Sequence, residues 1–338
     1  LVRGNQSEIK AIYNALSPDD QADTSTTGKG VDSGQVEDSA VIAYRLARLI
    51  NCPVVATGEE DYVSDGTRVF AVPHGHPIMT AVTGTGCLLG AVLAAFFSAY
   101  YPCKDSLNIG EFLAYALAYY GLAGESAVQV SGVKPGSFST AFMDALYSLD
   151  DAVLKSENRI RPVVVPDQLQ VYFISGTQDV ELNENRLLSI VEDACRGGVT
   201  CFQFREKGMG TLEGQQKLEL AQQLQQICAK YNVLYIINDD VDLAMAVNAD
   251  GVHVGQEDMR LEEVRNLVGH KVIGISIHSV EELRKTDVVY ADCVGVGPMY
   301  ATSSKPDAQE PCGPNRITEL QAEGLTLPCV GIGGITLD

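Results

Sequence analysis

The chain predicts an α/β protein in two parts, the second a parallel (β/α)8 barrel without its last strand–helix unit. Length is the first indication, since 338 residues exceed the roughly 100–200 of one domain. From residue 170 onward, short β-branched runs alternate with segments of helical periodicity, as when strands are buried on both faces of a parallel sheet. Residues 148–170, SLDDAVLKSENRIRPVVVPDQLQ, mix charge with Pro162 and Pro166 and lose periodicity, which puts a boundary near residue 160. The division is a first domain over 1–155, a linker over 156–169 and the barrel over 170–338.

The first part shows more helix than strand. The chain opens on what reads as the end of a strand, followed by turn chemistry at 27–34 (TGKGVDSG) and a strand at 53–58 (PVVATG). After VTGTGC comes a buried helix over 88–102, then helices over 109–130 and 138–149. With so few strands, most of this domain's sheet is expected upstream of residue 1. Beyond the boundary the strands are 171–175, 200–206, 233–239, 251–255, 272–278, 293–300 and 329–334, with a helical segment at 212–231 among the connections. Such units build barrels of roughly 200–250 residues. Only 168 residues follow position 170, so the count stops at seven strands and the eighth is expected to be missing.

Composition narrows the function. The chain carries 24 basic and 44 acidic residues, a net charge of −20, which argues against bulk nucleic-acid or anionic-membrane binding. Small anionic substrates remain open, because they need only a local cluster of donors. Nine scattered cysteines without a C-x-x-C pair fit neither a disulfide framework nor a zinc site, and a reducing cytoplasmic setting is expected. The start, LVRGNQSE, lacks a secretory n-region, and no apolar run reaches the roughly 18 residues of a membrane span. Without an initiator Met, the chain reads as a fragment. Self-association is left open.

Barrels of this kind carry their chemistry at the C-terminal ends of strands. Here those ends bear Gln203, Arg205, Glu206 and Lys207; Asn238, Asp239 and Asp240; Gln256 and Asp258; Ser276 and His278; Thr302, Ser303, Ser304 and Lys305; and Gly333 and Gly334. Each has a plainer reading alone: solvated charges, a helix cap at the Asp pair, a tight turn at the glycines. Together they suit a diphosphate bound through magnesium. Asp239 and Asp258 supply carboxylate oxygens for Mg²⁺, while Arg205 and Lys207 neutralise the remaining phosphate charge. Backbone N–H groups around Gly333 and Gly334 suit a second phosphate.

The order QFREK, INDD, GVHVGQED, GISIH, VGVGPMYATSSK and VGIGGIT resembles thiamine-phosphate synthase across residues 170–338. That family joins a pyrimidine-methyl diphosphate to a thiazole phosphate and releases pyrophosphate. The resemblance implies that Gln203, Arg205, Lys207 and Asn238 bind the pyrimidine diphosphate and that Asp239 and Asp258 hold Mg²⁺. It implies that Ser276 and Lys305 contact the diphosphate, and that Thr302, Ser304 and Gly334 receive the thiazole phosphate. Ser304 stands where Thr is common and keeps the hydroxyl. The family's last strand carries further donors, and this chain ends at Asp338 before it. An aminopyrimidine stabilises a CH₂ cation, so the diphosphate can leave before the thiazole nitrogen attacks. Positioning and charge neutralisation then matter more than a base, and His278 reads as structural or ring-contacting.

In the first part, VTGTGCLLGAV sets small residues before a helix start, where N–H groups and the helix dipole favour an anion and a Cys87 thiolate. Its plainer reading is a glycine turn capping a core helix. Asn5 and Glu8 of RGNQSE are three apart, on one helical face. With Arg3, TGEEDYVSDG and KPGSF, the series resembles the C-terminal part of hydroxyethylthiazole kinase, a ribokinase-like family, over residues 1–150. The resemblance implies that Arg3 and Thr57 contact ATP, Gly84 contacts the thiazole alcohol, Asn5 and Glu8 act near Mg²⁺, and Cys87 is the base. The kinase product is a substrate of the synthase, so the two resemblances support one another. The alternative is a non-catalytic relative of the barrel that binds thiazole phosphate and regulates; retained Lys207, Asp239, Asp258 and Lys305 favour catalysis.

Overall fold

The structure, a computed structural model, describes residues 1–18, 34–100, 108–302 and 310–336. The chain divides into two compact units, Leu1–Val163 and Val164–Asp338. Among the described residues no helix is long and apolar enough to cross a membrane.

The first unit contains a five-stranded sheet in the order β1 (Val2–Asn5), β2 (Val54–Thr57), β3 (Asp61–Ser64), β4 (Val69–Val72) and β5 (Arg161–Pro162). β1 and β2 are parallel and the other pairs antiparallel. Fewer strands are legible in the sequence of this part than the five the sheet contains. β3 and β4 escaped notice because each is only four residues long, too short for a periodic pattern. The turn between them is nonetheless well specified: Asp65 Oδ1 accepts from Thr67 N at 2.9 Å and Arg68 N at 2.7 Å, and Gly66 adopts φ +88°. Pro162 sits on an edge strand, where its missing N–H breaks no ladder. Within 156–169, read from sequence as a linker, the short strand β5 is followed by a 3₁₀ turn at Pro166–Leu169.

Helices α1 (Gln6–Leu16), α2 (Gly34–Ile50), α3 (Thr85–Tyr100), α4 (Ile109–Ser131), α5 (Pro135–Ser148) and α6 (Asp151–Ser156) complete the unit. α2 buries Ala40, Ile42, Ala43, Tyr44, Leu46 and Ala47, most of its girth over that stretch. α4 is buried around most of its girth, from Leu113 to Ala127, and packs with β4, Phe138 and Phe142. α3 departs from the expected buried helix: Leu89 and Leu93 are buried, but Gly86, Cys87, Ala91 and Ala94 are exposed. Its sequence is apolar all round, and hydropathy alone cannot distinguish the covered face from the open one.

The second unit is a curled sheet of seven parallel strands in chain order: β6 (Tyr172–Ser175), β7 (Cys201–Phe204), β8 (Leu234–Asn238), β9 (Gly251–Val254), β10 (Val272–Ile277), β11 (Cys293–Val296) and β12 (Cys329–Gly331). Between them run α7 (Glu184–Arg196), α8 (Gly214–Lys230), α9 (Val241–Ala246), α10 (Leu261–Val268), α11 (Val280–Lys285) and α12 (Asn315–Ala322). Period-two alternation sorts each strand. Phe202, Phe204, Tyr235, Ile237, Val252, Val254, Ile273 and Ile275 pack outward with Leu187, Val191, Leu220 and Leu224 of α7 and α8. Cys201, Leu234, Ile236, Val272, Cys293 and Val330 point inward, joined by Val164 and Leu169. Full burial stabilises each aliphatic or aromatic side chain by about 1.5–3 kcal/mol, so a one-residue slip in any strand is strongly penalised.

Candidate functional sites

At the C-terminal ends of the barrel strands lies a cavity of about 560 Å³, lined by residues from both edge strands, β6 and β12, and from those between. Gln203, Arg205, Asn238, Ser276, Thr302 and Gly334 all line it. Ser304 and Lys305, with Ser303, lie outside the described residues.

Arg205 follows β7 directly, its N–H donating to Ser175 O at 3.0 Å. The next residue fixes the loops around it. Glu206 accepts from Thr177 N and Leu212 N, both at 2.8 Å, and from the Thr177 hydroxyl. Lys207 then reaches across to Asp239, Nζ to Oδ2 2.9 Å. That hydrogen bond holds the Lys207 ammonium above its usual range. Among the described residues the Arg205 guanidinium has no carboxylate partner.

Asp239 adopts φ +60°, a left-handed conformation that costs a non-glycine residue of order 1–3 kcal/mol. Its N–H donates to His253 O at 2.8 Å, and the following N–H of Asp240 to Asn238 O at 2.7 Å. Burial raises the Asp239 carboxyl above its usual range against the pull of Lys207, and the neighbouring Asp258 carboxylate raises it further. Asp258 is anchored by Gly255 N, which donates to Oδ2 at 2.7 Å. Two carboxylates held together against their repulsion suit a divalent cation completed by phosphate oxygens, which needs only one or two protein carboxylates. No group of three His, Cys, Asp or Glu side chains gathers among the described residues. Asp240, in contrast, caps α9 through Leu243 N and pairs with Lys217 Nζ at 2.8 Å. The helix-cap reading therefore holds for the second Asp of INDD.

The glycine turn closes the cavity's other side. Gly333 and Gly334 have φ +87° and +68°, and a Cβ on Gly334 would lie 2.6 Å from the carbonyl oxygens of Tyr300 and Ala301. Met299 N donates to Ile332 O at 2.8 Å and Tyr300 N to Gly333 O at 3.1 Å, bringing Thr302 and Gly334 to one wall. His278 lines the cavity with Nδ1 2.9 Å from Glu282 Oε2. Gln203 Nε2 donates to the buried Tyr172 hydroxyl at 2.8 Å. Tyr172 and His253 were missed as members of this site; their inward register within apolar strands was the available signal.

In the first unit, the parallel β1–β2 pair sets Asn5 opposite Thr57 and Arg3 opposite Val55. Thr57 Oγ1 donates to Gly4 O at 3.3 Å. Asn5 and Glu8 face each other in a reciprocal cap of α1: Glu8 N to Asn5 Oδ1 2.9 Å, Asn5 N to Glu8 Oε2 2.7 Å. Arg3 Nε is buried without a partner among the described residues, and a Cβ on Gly86 would lie 3.3 Å from Arg3 Nη2. Gly84 has φ +97° with open space beside it, and Cys87 is exposed in the first turn of α3. No hydrogen bond or ion pair joins Cys87 to Asn5 or Glu8 among the described residues. Sequence reasoning overlooked Asp61, which accepts from Gly58 N at 2.9 Å and whose carboxyl burial lifts to about 7 despite Arg3 nearby.

Residues 171–338 match the family model for thiamine monophosphate synthase, and residues 1–152 that for the hydroxyethylthiazole kinase family. A thiamine-phosphate synthase of Geobacillus thermodenitrificans is 49% identical over 180 residues, 53% of this chain and 80% of that protein. The thiamine biosynthesis bifunctional protein ThiM/ThiE of Symbiobacterium thermophilum is 37% identical over 342 residues, 99% of this chain and 66% of that protein. Among solved structures, a thiamine phosphate pyrophosphorylase from Pyrococcus furiosus is 29% identical, with TM-score 0.43, covering 51% of this chain and 78% of that one.

Proposed function

Because the chain belongs to the thiamine-phosphate synthase family through its second unit and carries a hydroxyethylthiazole kinase segment before it, we propose that it makes thiamine phosphate in two consecutive steps. ATP phosphorylates the thiazole alcohol. A pyrimidine-methyl diphosphate then condenses with the thiazole phosphate and releases pyrophosphate. On this reading the first unit has a ribokinase-like fold and the second a TIM-type barrel.

One observation carries the synthase assignment: Asp239 and Asp258 stand together, with Lys207 on Asp239, beside the cavity that Arg205 lines. Mg²⁺ held by those carboxylates would offset charge on the departing diphosphate. Arg205 and Lys207 hold the diphosphate oxygens, with Lys305 as a further cation. Ser276 contacts the diphosphate, while Gln203 and Asn238 orient the pyrimidine, so its exocyclic carbon faces the thiazole nitrogen. Thr302, Ser304 and Gly334 hold the thiazole phosphate. The C–O bond breaks as the diphosphate leaves, the pyrimidine stabilises the cation, and the thiazole nitrogen supplies the electron pair of the new C–N bond. No base is required. In the kinase step, Arg3 and Thr57 contact ATP, Gly84 admits the thiazole alcohol, Asn5 and Glu8 act near Mg²⁺, and Cys87 accepts the hydroxyl proton.

The test is formation of thiamine phosphate by the purified protein from the two phosphorylated substrates. Asp239→Asn should lower turnover by roughly 100-fold or more with an unchanged unfolding midpoint. Binding of thiazole phosphate with no condensation by the unaltered protein would establish the regulatory alternative instead.

A further inference from the structure

Inside the barrel is a buried imidazole that the reaction above leaves without a role. His253, the third residue of β9, is 4% exposed and points inward, where its neighbours across the sheet are Asn238 of β8 and Gly274 of β10. The strand architecture makes room for it. A Cβ on Gly274 would lie 2.3 Å from His253 Nδ1, and one on Gly295 would lie 2.9 Å from Cε1. Any side chain larger than hydrogen at either position would collide with the ring. Two adjacent strands therefore carry glycine where the imidazole lies.

The ring makes one polar contact, Nε2 to Ser276 Oγ at 2.9 Å, while Nδ1 is buried with no partner among the described residues. A buried imidazole with no carboxylate hydrogen-bonded to either nitrogen is held as the neutral ring, with one N–H and one lone pair. The two tautomers differ in what they strand at Nδ1. An unpaired buried N–H is rarer in proteins than an under-used acceptor, which places the proton on Nε2. Nε2–H then donates to Ser276 Oγ, and the serine proton must turn elsewhere. Ser276 and His253 both line the 560 Å³ cavity, so the hydroxyl has an acceptor-seeking direction into it. Opposite, Gln203 is backed by the buried Tyr172 hydroxyl in the same manner.

We propose that His253 is a positioning residue for the synthase step, holding Ser276 as a fixed hydrogen-bond donor to the pyrimidine diphosphate. The inference rests on the synthase reading above. It predicts an effect on one substrate only, because a fixed donor preorganises binding at that acceptor and leaves the thiazole phosphate wall of Thr302 and Gly334 untouched.

The experiment uses the complete protein with His253→Leu, His253→Gln, Ser276→Ala and the double variant His253→Leu/Ser276→Ala. His253→Leu removes both nitrogens at similar volume; His253→Gln puts an amide nitrogen near the place of Nε2. Expected is a rise of about tenfold in KM for the pyrimidine diphosphate in His253→Leu, with KM for thiazole phosphate within about twofold. His253→Gln should recover most of the loss, and the double variant should be no worse than the poorer single one. Inhibition by pyrophosphate locates the acceptor: weaker inhibition in Ser276→Ala puts it on the diphosphate, unchanged inhibition on the pyrimidine. Equal rises in both KM values, no rescue by Gln, or multiplicative effects in the double variant would each overturn the proposal. If His253→Leu fails to fold, the cycle of His253→Gln with Ser276→Ala decides it by the same additivity criterion. An unaltered protein that makes no thiamine phosphate would refute the synthase reading itself.

Discussion

Asn5 and Glu8 show how one residue pair serves two purposes. Each satisfies the other's backbone N–H at the start of α1, which explains their spacing without any ligand. Glu8 uses only Oε2 in that cap, so Oε1 remains for the proposed role near Mg²⁺. Glutamine also serves in a capping box, and the two roles separate on substitution. Glu8→Gln should leave stability within about 0.5 kcal/mol while lowering kinase turnover at least tenfold; Asn5→Ala should cost about 1 kcal/mol of stability. Thermal unfolding and ATP turnover measured on the same samples check both. Asp61 supplies a pH signature. Its carboxyl rises from 3.8 to about 7 through burial, with Glu60 adding to the rise and Arg3 and the Gly58 N–H opposing it. The folded state therefore keeps a proton that the unfolded chain releases above 3.8. This contribution to stability is complete below 3.8 and is lost as pH climbs to about 7. Asp61→Asn keeps an oxygen for Gly58 N, and its unfolding midpoint should fall less between pH 4 and 7 than that of the unaltered protein.

At the scale of elements, what could be read from sequence follows from how each strand is buried. The seven parallel strands are covered on both faces and appear as continuous apolar runs, so their order and the polar residues at their ends were legible. The β3–β4 hairpin was not, because four-residue strands offer too little alternation, although Asp65–Gly66 marked the turn. α2 hid because its buried residues, Ala40, Ile42, Ala43, Tyr44, Leu46 and Ala47, form no clean one-faced stripe. Arg205, Lys207, Asp239 and Asp258 could be named in advance, since charge at a strand end is itself a signal. His253 could not, since its place depends on glycines one and two strands away; nor could the loop-fixing role of Glu206, which depends on donors in two separate loops. The loop after β11 and the turn after β12 give a test at this scale. At φ +68°, with Tyr300 and Ala301 carbonyls 2.6 Å from any added Cβ, Gly334 has no room to yield. Gly334→Ala should destabilise by more than about 1 kcal/mol and raise KM for thiazole phosphate more than for the pyrimidine diphosphate. Equal effects on both substrates would mean that the turn serves folding alone.

For the molecule as a whole, the two proposed steps draw on residues in different units, each with its own apolar core. Substitutions that share no partners and no core act independently to within a few tenths of a kcal/mol. The two activities should therefore be separable in one polypeptide. Cys87 lies exposed in the first turn of α3, and the proposed kinase step has it accept the thiazole hydroxyl proton. A carboxylate in the same place would accept it as well. Cys87→Asp should retain kinase turnover and Cys87→Ala should lose most of it, while condensation from supplied thiazole phosphate is unchanged in both. Asp239→Asn should give the reciprocal result, with condensation lost and phosphorylation of the thiazole alcohol intact. Full kinase turnover in Cys87→Ala would make the thiol a bystander at a glycine-rich helix start. Loss of condensation in that variant would mean that the units are coupled, against the independence of their cores.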